Sequence, residues 1–492
     1  MSSREATVCT DPVSSLGDKA QTIIVDLDGT LLCTDTLHES ALQLLRDKSI
    51  SVLYLPFWLL AGKAFLKQKL ADSIKLNPAT LPYNVRLIDW LKQQKQLGHR
   101  LVLCTATNTS VAQRIADHIQ LFDEVMASDG NHNLAGARKK AALDQAYGEG
   151  GYIYAGNSAD DIHVWSGASK GIVVNASSSV LAKAKQVTEI HGYFPRVPIA
   201  WSAWRRVFRI HQWLKNILLF VPLMAAHRFS EVNLLAQLIL AFCSFSLCAS
   251  AVYITNDLLD LESDRRHPRK KYRPFASGLV PIHYGVLLAP VCGLLSLALA
   301  IHIGKAFTVW LLVYFTLTFA YSVKLKRLVL VDCLTLAALY TLRIVAGAAT
   351  VSIRLSFWLL AFSVFIFTSL AFVKRYAELQ DSLREGKNQT HGRGYYVIDT
   401  PIVETLGIAA GYAAVLVLAL YLHGESATAH YRTPEFIWGA VPLLMFWISW
   451  IWLKAHRGHM CDDPLIFAVR DKVSWAVLIG IGISFAAAMV VV

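Results

Sequence analysis

An apolar run over 234–254 ends on an acidic cluster and then on a basic one, in the stretch NDLLDLESDRRHPRKKYRPFASG at 256–278. The run is long enough to cross a bilayer as a helix, so the stretch opens where that helix meets the water interface. Asp257, Asp260 and Asp264 stand at i, i+3 and i+7 with Asn256 beside them, which puts their side chains on one face if the helix continues. Like charges on one face repel by about 0.2–0.5 kcal/mol per pair, and desolvation at a membrane surface adds to that. A positive partner is therefore required. A hard divalent ion suits an all-oxygen set, and Mg²⁺ usually keeps its waters and joins a few carboxylates to a substrate's phosphates. Arg265, Arg266, Arg269, Lys270, Lys271 and Arg273 follow at once and offer donors to phosphate oxygens, so the expected ligand is a diphosphate. An ordinary basic loop balanced by a few acids is the bland alternative, and it leaves three carboxylates in helical register unexplained.

NDxxDxxxD followed by HPxKxxRPxASG resembles the first aspartate motif of the UbiA superfamily of intramembrane prenyltransferases. Within that superfamily the stretch is most similar to the branch that makes decaprenylphosphoryl phosphoribose from phosphoribosyl pyrophosphate. The resemblance implies that Asp257 and Asp260 are catalytic and hold Mg²⁺ together with Asp264, while Asn256, Lys270 and Arg273 bind the substrate.

Composition agrees with a membrane protein. Hydrophobic residues make up 54% of the 492 and charged ones only 17%. The net charge of +12 would suggest nucleic acid in a soluble chain, but here the basic residues concentrate in alternate loops between apolar runs, so no nucleic-acid partner is expected. Eight cysteines lie scattered without a C-x-x-C pair, which favours reduced, packed thiols. The opening MSSREATVCTDP has no basic region followed by an apolar one, so no signal peptide is expected.

Residues 21–195 have the mixed composition of a soluble domain. TIIVDLDGTLL places a buried strand directly before Asp26 and Asp28, LVLCTATN ends a second near Thr105, and YIYAGNSADD ends another at Gly156. Polar residues at the carboxyl ends of apolar strands are where open α/β sheets build their sites. The order DxDGT, strand ending in Thr, Lys, then GNSxxD resembles the haloacid dehalogenase superfamily of aspartate-based phosphotransferases. That resemblance implies Asp26 as nucleophile, Asp28 as acid and base, Thr105 on the phosphoryl oxygens, and Lys139 neutralising their charge, with Lys140 as an alternative. It gives Mg²⁺ to Asp26, Asp28 and Asp161. Asn157 departs from the pattern, standing where an acid is usual. Residues 31–100 read as a helical cap. Its apolar segment ISVLYLPFWLLAGKAF, 50–65, is expected to form the cap core; the alternative is a segment lying on lipid.

The expected fold is multidomain. It comprises a tail over 1–20, a Rossmann-like α/β haloacid dehalogenase domain over 21–195, a linker over 196–204, and an all-α polytopic membrane domain over 205–492. Nine apolar spans are expected, near 208–226, 234–254, 283–303, 307–323, 329–349, 357–373, 403–422, 436–453 and 473–492. The positive-inside rule puts the phosphatase-like domain and the basic loops in the cytoplasm of an inner membrane and the C-terminus outside.

KRYAELQD, at the end of the sixth expected span, stands where aromatic prenyltransferases of the superfamily carry a second aspartate-rich motif, and resembles the phosphoribosyltransferase branch. Fewer acids and more cations suit a substrate with an extra phosphate. Lys374 and Arg375 are expected to hold phosphates, Tyr321 and Glu378 to orient a ribose, and Lys324 and Tyr376 to complete the substrate site. Arg343 falls deep inside a span, where a charge costs about 2.5–3.5 kcal/mol. It is read either as a phosphate ligand or as a tether to a carboxylate on another helix, with Asp332 a poor partner for it.

The function expected is Mg²⁺-dependent transfer of phosphoribosyl from phosphoribosyl pyrophosphate to a polyprenyl phosphate in the bilayer, followed by removal of the 5-phosphate by the fused phosphatase. Prenyl transfer to an aromatic acceptor is the alternative within the fold. An ion-coupled carrier is the alternative of another class.

Overall fold

The computed structural model describes residues 20–130, 132–389, 393–423, 433–460 and 463–490. The expected tail, 1–20, lies outside the described residues except for Ala20. The chain forms two compact units, one of residues 1–208 with 254–288, the other of 209–253 with 289–492.

In the first unit six strands form one parallel sheet, β1 (Thr22–Val25), β2 (Arg100–Asn108), β3 (Glu124–Ser128), β4 (Tyr152–Gly156), β5 (Lys170–Val174) and β6 (Ile190–Phe194). Their order is β3-β2-β1-β4-β5-β6. Period-two alternation explains why both faces are covered. Ile23, Val25, Leu101, Leu103, Ile153 and Ala155 pack into one apolar layer, and Ile24, Val102, Cys104, Tyr152, Tyr154 and Val173 into the other. Burying each large aliphatic side chain is worth about 1.5–3 kcal/mol. Strand order reverses at β1, whose neighbours are β2 and β4, and an open α/β sheet forms its crevice outside the carboxyl ends of strands at such a point. This is the parallel α/β fold expected of a haloacid dehalogenase-like domain.

Two expectations change in this unit. The apolar segment at 50–65 does not form the core of the cap: Ile50, Leu53, Phe57 and Leu60 are 79%, 71%, 67% and 86% exposed. The cap buries Leu44, Leu66, Leu70 and Ile74 instead, and of the segment only Val52, Leu55 and Trp58 pack, partly buried, against them. Nor does the unit stop at the expected linker, since residues 254–288 join it. Ion pairing, buried at Arg265–Glu39 and at the surface at Arg46–Glu262, joins the two segments. Arg265 binds Glu39 through two donors, at 2.6 and 3.1 Å, and Arg46 meets Glu262 at 2.9 Å. Gly278, at φ +73°, lies so close to Cys33 that a Cβ would come 2.7 Å from that side chain's Cβ.

Among the described residues, seven helices are long and apolar enough to cross a membrane: Val232–Leu259, Ile282–Ile303, Lys305–Val323, Val331–Thr350, Phe357–Arg384, Val397–Leu422 and Glu435–His456. Two of the nine expected spans differ. The run at 208–226 is broken into short helices around a 3₁₀ stretch, Leu214–Phe220, since Lys215 and Asn216 turn inward to polar partners and Pro222 interrupts the helix. The last is apolar but shorter over its described length, Lys472–Ala488.

The second unit packs its helices through small residues and hydroxyls, as lipid-embedded helices do. A Cβ on Gly347 would lie 2.1 Å from the Leu219 carbonyl oxygen, and one on Gly407 2.3 Å from Trp452. Ser244 and Ser296 each donate to the other's carbonyl, at 2.8 and 2.7 Å.

Candidate functional site

The loop after β1 carries both aspartates of DLDGT, and the neighbouring strands bring the remaining residues to it. Lys139, on the helix Ala137–Tyr147, places its Nζ 2.7 Å from Asp26 Oδ1, 3.0 Å from the Tyr154 hydroxyl and 3.9 Å from Asp161 Oδ1. Lys140 instead meets Glu149 and Asp144 at the surface, so Lys139 is the lysine of this site. Asp28 accepts from the Thr36 amide at 2.7 Å and the Thr107 hydroxyl at 2.6 Å. Thr105 is fully buried and its hydroxyl oxygen accepts from the Thr107 amide at 3.0 Å. Asp161 accepts from the Tyr154 hydroxyl at 2.5 Å and from the Asn157 and Ser158 amides at 3.0 and 2.9 Å. Asn157 lies over Gly29, where a Cβ would come 2.0 Å from its Nδ2; with φ at +77°, that position requires glycine.

Thr107 and Lys67 went unnoticed in the sequence. Thr107 is two residues beyond Thr105 on the same strand, so strand periodicity could have found it. Lys67 comes from the cap, donates to the Ala106 carbonyl at 2.7 Å, and has its pKa lowered by burial against the pull of Asp28 and Asp35. Only tertiary folding brings it here.

Burial raises the Asp26 carboxyl to about 7, Lys139 opposing it and Asp161 and Asp28 adding to it. Burial also raises Asp28, helped by Asp35. A carboxyl poised in this way suits an acid that must hold a proton and later take one back. Lys139 depends on the Asp26 carboxyl in turn, since the ammonium is buried with Asp26 as its nearest acid.

The second acidic set ends the helix Val232–Leu259. Asp257 and Asp264 are buried, and Arg273 Nη1 lies 3.1 Å from the first and 2.5 Å from the second. Burial raises the Asp264 carboxyl against the pull of Arg273. Asp260 sits at the junction with the next helix, Leu261–Arg266, and is half-buried, as is Asn256. Lys270 lies in the 3₁₀ turn that follows. Arg265, one of the expected phosphate donors, has its guanidinium on Glu39 and the Ala276 carbonyl instead.

Both acidic sets have the donor chemistry of a Mg²⁺ site. In each, two carboxylates already converge on a protein cation, Lys139 in one and Arg273 in the other, so each has a locus that favours positive charge. Among the described residues no three acids, histidines or cysteines gather into a cage for a metal. Donor chemistry fits Mg²⁺, which takes one or two carboxylates and leaves its other positions to water and substrate phosphate.

The second unit sorts the remaining expected residues into three networks. Arg375 is fully buried against Asp332 at 2.6 Å and also pairs with Glu378. Arg393 joins them, 3.1 Å from Glu378 and 3.0 Å from the Tyr321 hydroxyl, and the Tyr395 hydroxyl donates to Asp332 at 2.6 Å. Asp463 gathers Lys215 at 2.5 Å, Lys374 at 3.7 Å and the Tyr340 hydroxyl at 3.0 Å. Burial works against its charge, but the two lysines hold its carboxyl below the usual range. Arg343 donates to Asn216 at 2.9 Å, the Tyr314 hydroxyl at 3.0 Å and the Leu339 carbonyl.

Three expected roles are therefore corrected. On the tether reading, Arg343 has an amide, a phenol and a backbone carbonyl as partners and not a carboxylate. Arg375 has no exposed surface with which to reach a phosphate. Tyr376 points to the helix Glu435–His456, its hydroxyl 2.8 Å from His456 Nδ1. Lys374 is partly exposed and Lys324 lies exposed at a helix end. Arg393, Lys215 and Asp463 were missed because their partners lie far along the chain.

The description "UbiA prenyltransferase family" matches residues 217–490. The protein y4nM of Sinorhizobium fredii is 35% identical over 96% of this chain and 92% of its own length. The nodulation protein NoeC of Azorhizobium caulinodans is 40% identical over 56% of this chain and 89% of its own. The decaprenyl-phosphate phosphoribosyltransferase of Mycobacterium tuberculosis is 31% identical over 57% and 94%. With its membrane-spanning helices and the acidic motif at the end of one of them, the chain belongs to the UbiA prenyltransferase family.

Proposed function

We propose that the chain transfers phosphoribosyl from phosphoribosyl pyrophosphate to a polyprenyl phosphate and then removes the 5-phosphate from the lipid-linked product. One observation carries the first step: two buried aspartates, Asp257 near the end of a membrane helix and Asp264 on the short helix after it, converge on Arg273, with Lys270 in the turn that follows. Similarity to a decaprenyl-phosphate phosphoribosyltransferase supports the donor and acceptor.

Asp257 and Asp264, with Asp260, would hold Mg²⁺ in the transferase, and Asp26 with Asp161 in the phosphatase; bound there, the ion would withdraw charge from phosphate oxygens. The bond from ribose C1 to the diphosphate breaks as a lipid phosphate oxygen bonds to C1, and the diphosphate leaves with the electron pair. Lys270 and Arg273 hold the leaving group, Lys374 and Lys324 hold further phosphate oxygens, and Tyr321 and Glu378 orient the ribose. In the second step Asp26 attacks the 5-phosphorus and Asp28 gives its proton to the departing 5-oxygen. Asp28 then takes a proton from the water that hydrolyses the aspartyl phosphate. The exposed apolar side chains at 50–60 suit a phosphatase that works against the bilayer, with that unit and the basic loops on the cytoplasmic side.

The test supplies purified protein with Mg²⁺, polyprenyl phosphate and labelled phosphoribosyl pyrophosphate. Label entering the lipid phase is expected. A parallel reaction with polyprenyl diphosphate and 4-hydroxybenzoate tests transfer to an aromatic acceptor, which would replace this reading if it alone proceeds. Asp264→Asn should slow phosphoribosyl transfer by about 100-fold or more, since it removes a charge from the leaving-group site; the rate of label uptake measures it.

A further inference from the structure

A cleft of about 680 Å³ opens beside Asp28, Gly29 and Asn157. Pockets of this size hold a molecule larger than a bare phosphate ester. Arg196, after β6, lines the cleft together with the segment Ser277–His283, which closes the acidic stretch and opens the helix Ile282–Ile303. His38 lines it too, its ring centroid 6.0 Å from that of His283. Asp35 is a further lining residue; its carboxylate caps a helix, accepting from the Leu37 and His38 amides at 2.8 and 3.4 Å, and lies 3.8 Å from His38 Nδ1. The lining thus adds a guanidinium and two imidazoles to the Asp28 carboxylate. A guanidinium presents forked donors that match phosphate oxygens, and each imidazole can present an N–H donor.

We propose that Arg196, His38 and His283 form an anion subsite, so that the phosphatase selects a sugar phosphate carrying a second phosphate at the far end of its sugar. The inference deepens the reading above and rests on it for one feature, the lipid attached to that second phosphate. In the product of phosphoribosyl transfer the 5-phosphate is a monoester and the phosphate on C1 a diester. The first would lie at Asp26 while the second occupies the subsite. Specificity then depends on the segment Ser277–His283, which closes the acidic stretch and opens the helix Ile282–Ile303.

The test uses the full chain in detergent with Mg²⁺, carrying Asp26→Asn so that no probe is consumed. Ribose 5-phosphate and ribose 1,5-bisphosphate are titrated in turn. The bisphosphate is expected to bind at least about tenfold more tightly, since its second phosphate adds charge-assisted contacts. Adding Arg196→Ala with His283→Gln should erase that preference and leave ribose 5-phosphate binding unchanged. Equal affinity for the two probes, no binding of either, or an equal loss of both in the double variant would overturn the subsite. A third titration uses phosphoribosyl-phosphoryl decaprenol. If it binds no better than ribose 5-phosphate while the bisphosphate preference stands, the subsite serves a free sugar bisphosphate and the lipid-linked reading fails on its own.

Discussion

Asp28→Asn is expected to leave the lipid bearing ribose 5-phosphate to accumulate, with its dephosphorylation slowed by about 10²–10⁴-fold, the usual worth of a positioned acid and base. The substitution is nearly isosteric. Its amide oxygen can accept from the Thr36 amide as the carboxylate does, and the Thr107 hydroxyl can turn to accept where it now donates. What is lost is a carboxyl that can give a proton to the departing 5-oxygen, a form that burial favours by raising its pKa. Mass spectrometry of the lipids formed from labelled phosphoribosyl pyrophosphate reads the result. Dephosphorylated lipid at wild-type levels would reject coupling of the two steps within one chain.

Asp332→Asn is expected to cost the second unit about 3–5 kcal/mol, because it strands the guanidinium of a fully buried arginine. Glu378 also pairs with Arg375, but it is shared with Arg393 and partly exposed, so it offsets only part of the loss. Two comparisons separate charge from packing. Replacing both partners, as Asp332→Leu with Arg375→Met, should be far less damaging than either single change, since no charge is then left buried alone. Thermal unfolding in detergent measures all three. A single variant as stable as the parent would mean that Glu378 alone balances Arg375.

Much of the first unit could be read from the sequence because its signals are local. The run TIIV alternates between two apolar layers, and its end places Asp26 in the crevice without reference to distant residues. Motif order pointed to Lys139, whose Nζ lies 2.7 Å from Asp26. The segment at 50–65 was misread for the converse reason. Its hydrophobicity says that it avoids water, but a buried core and a lipid surface satisfy that preference equally well. In the second unit, depth along a span identified Arg343 as needing a partner, and helical spacing correctly set Asp332 aside. Spacing alone could not supply Asn216, which is 127 residues away.

The sequence by itself determined the strands and seven of the nine expected apolar spans, since a strand follows from a period of two along the chain and a span from the length of an apolar run. Tertiary structure decided which cation meets which carboxylate. Arg273 and Arg265 are eight positions apart in one basic run, yet the first lies on Asp257 and Asp264 while the second pairs with Glu39, 226 residues away. Periodicity fixes the face on which a charge lies. What that face meets depends on how distant segments pack, and the free energy of a buried charge depends almost entirely on that meeting.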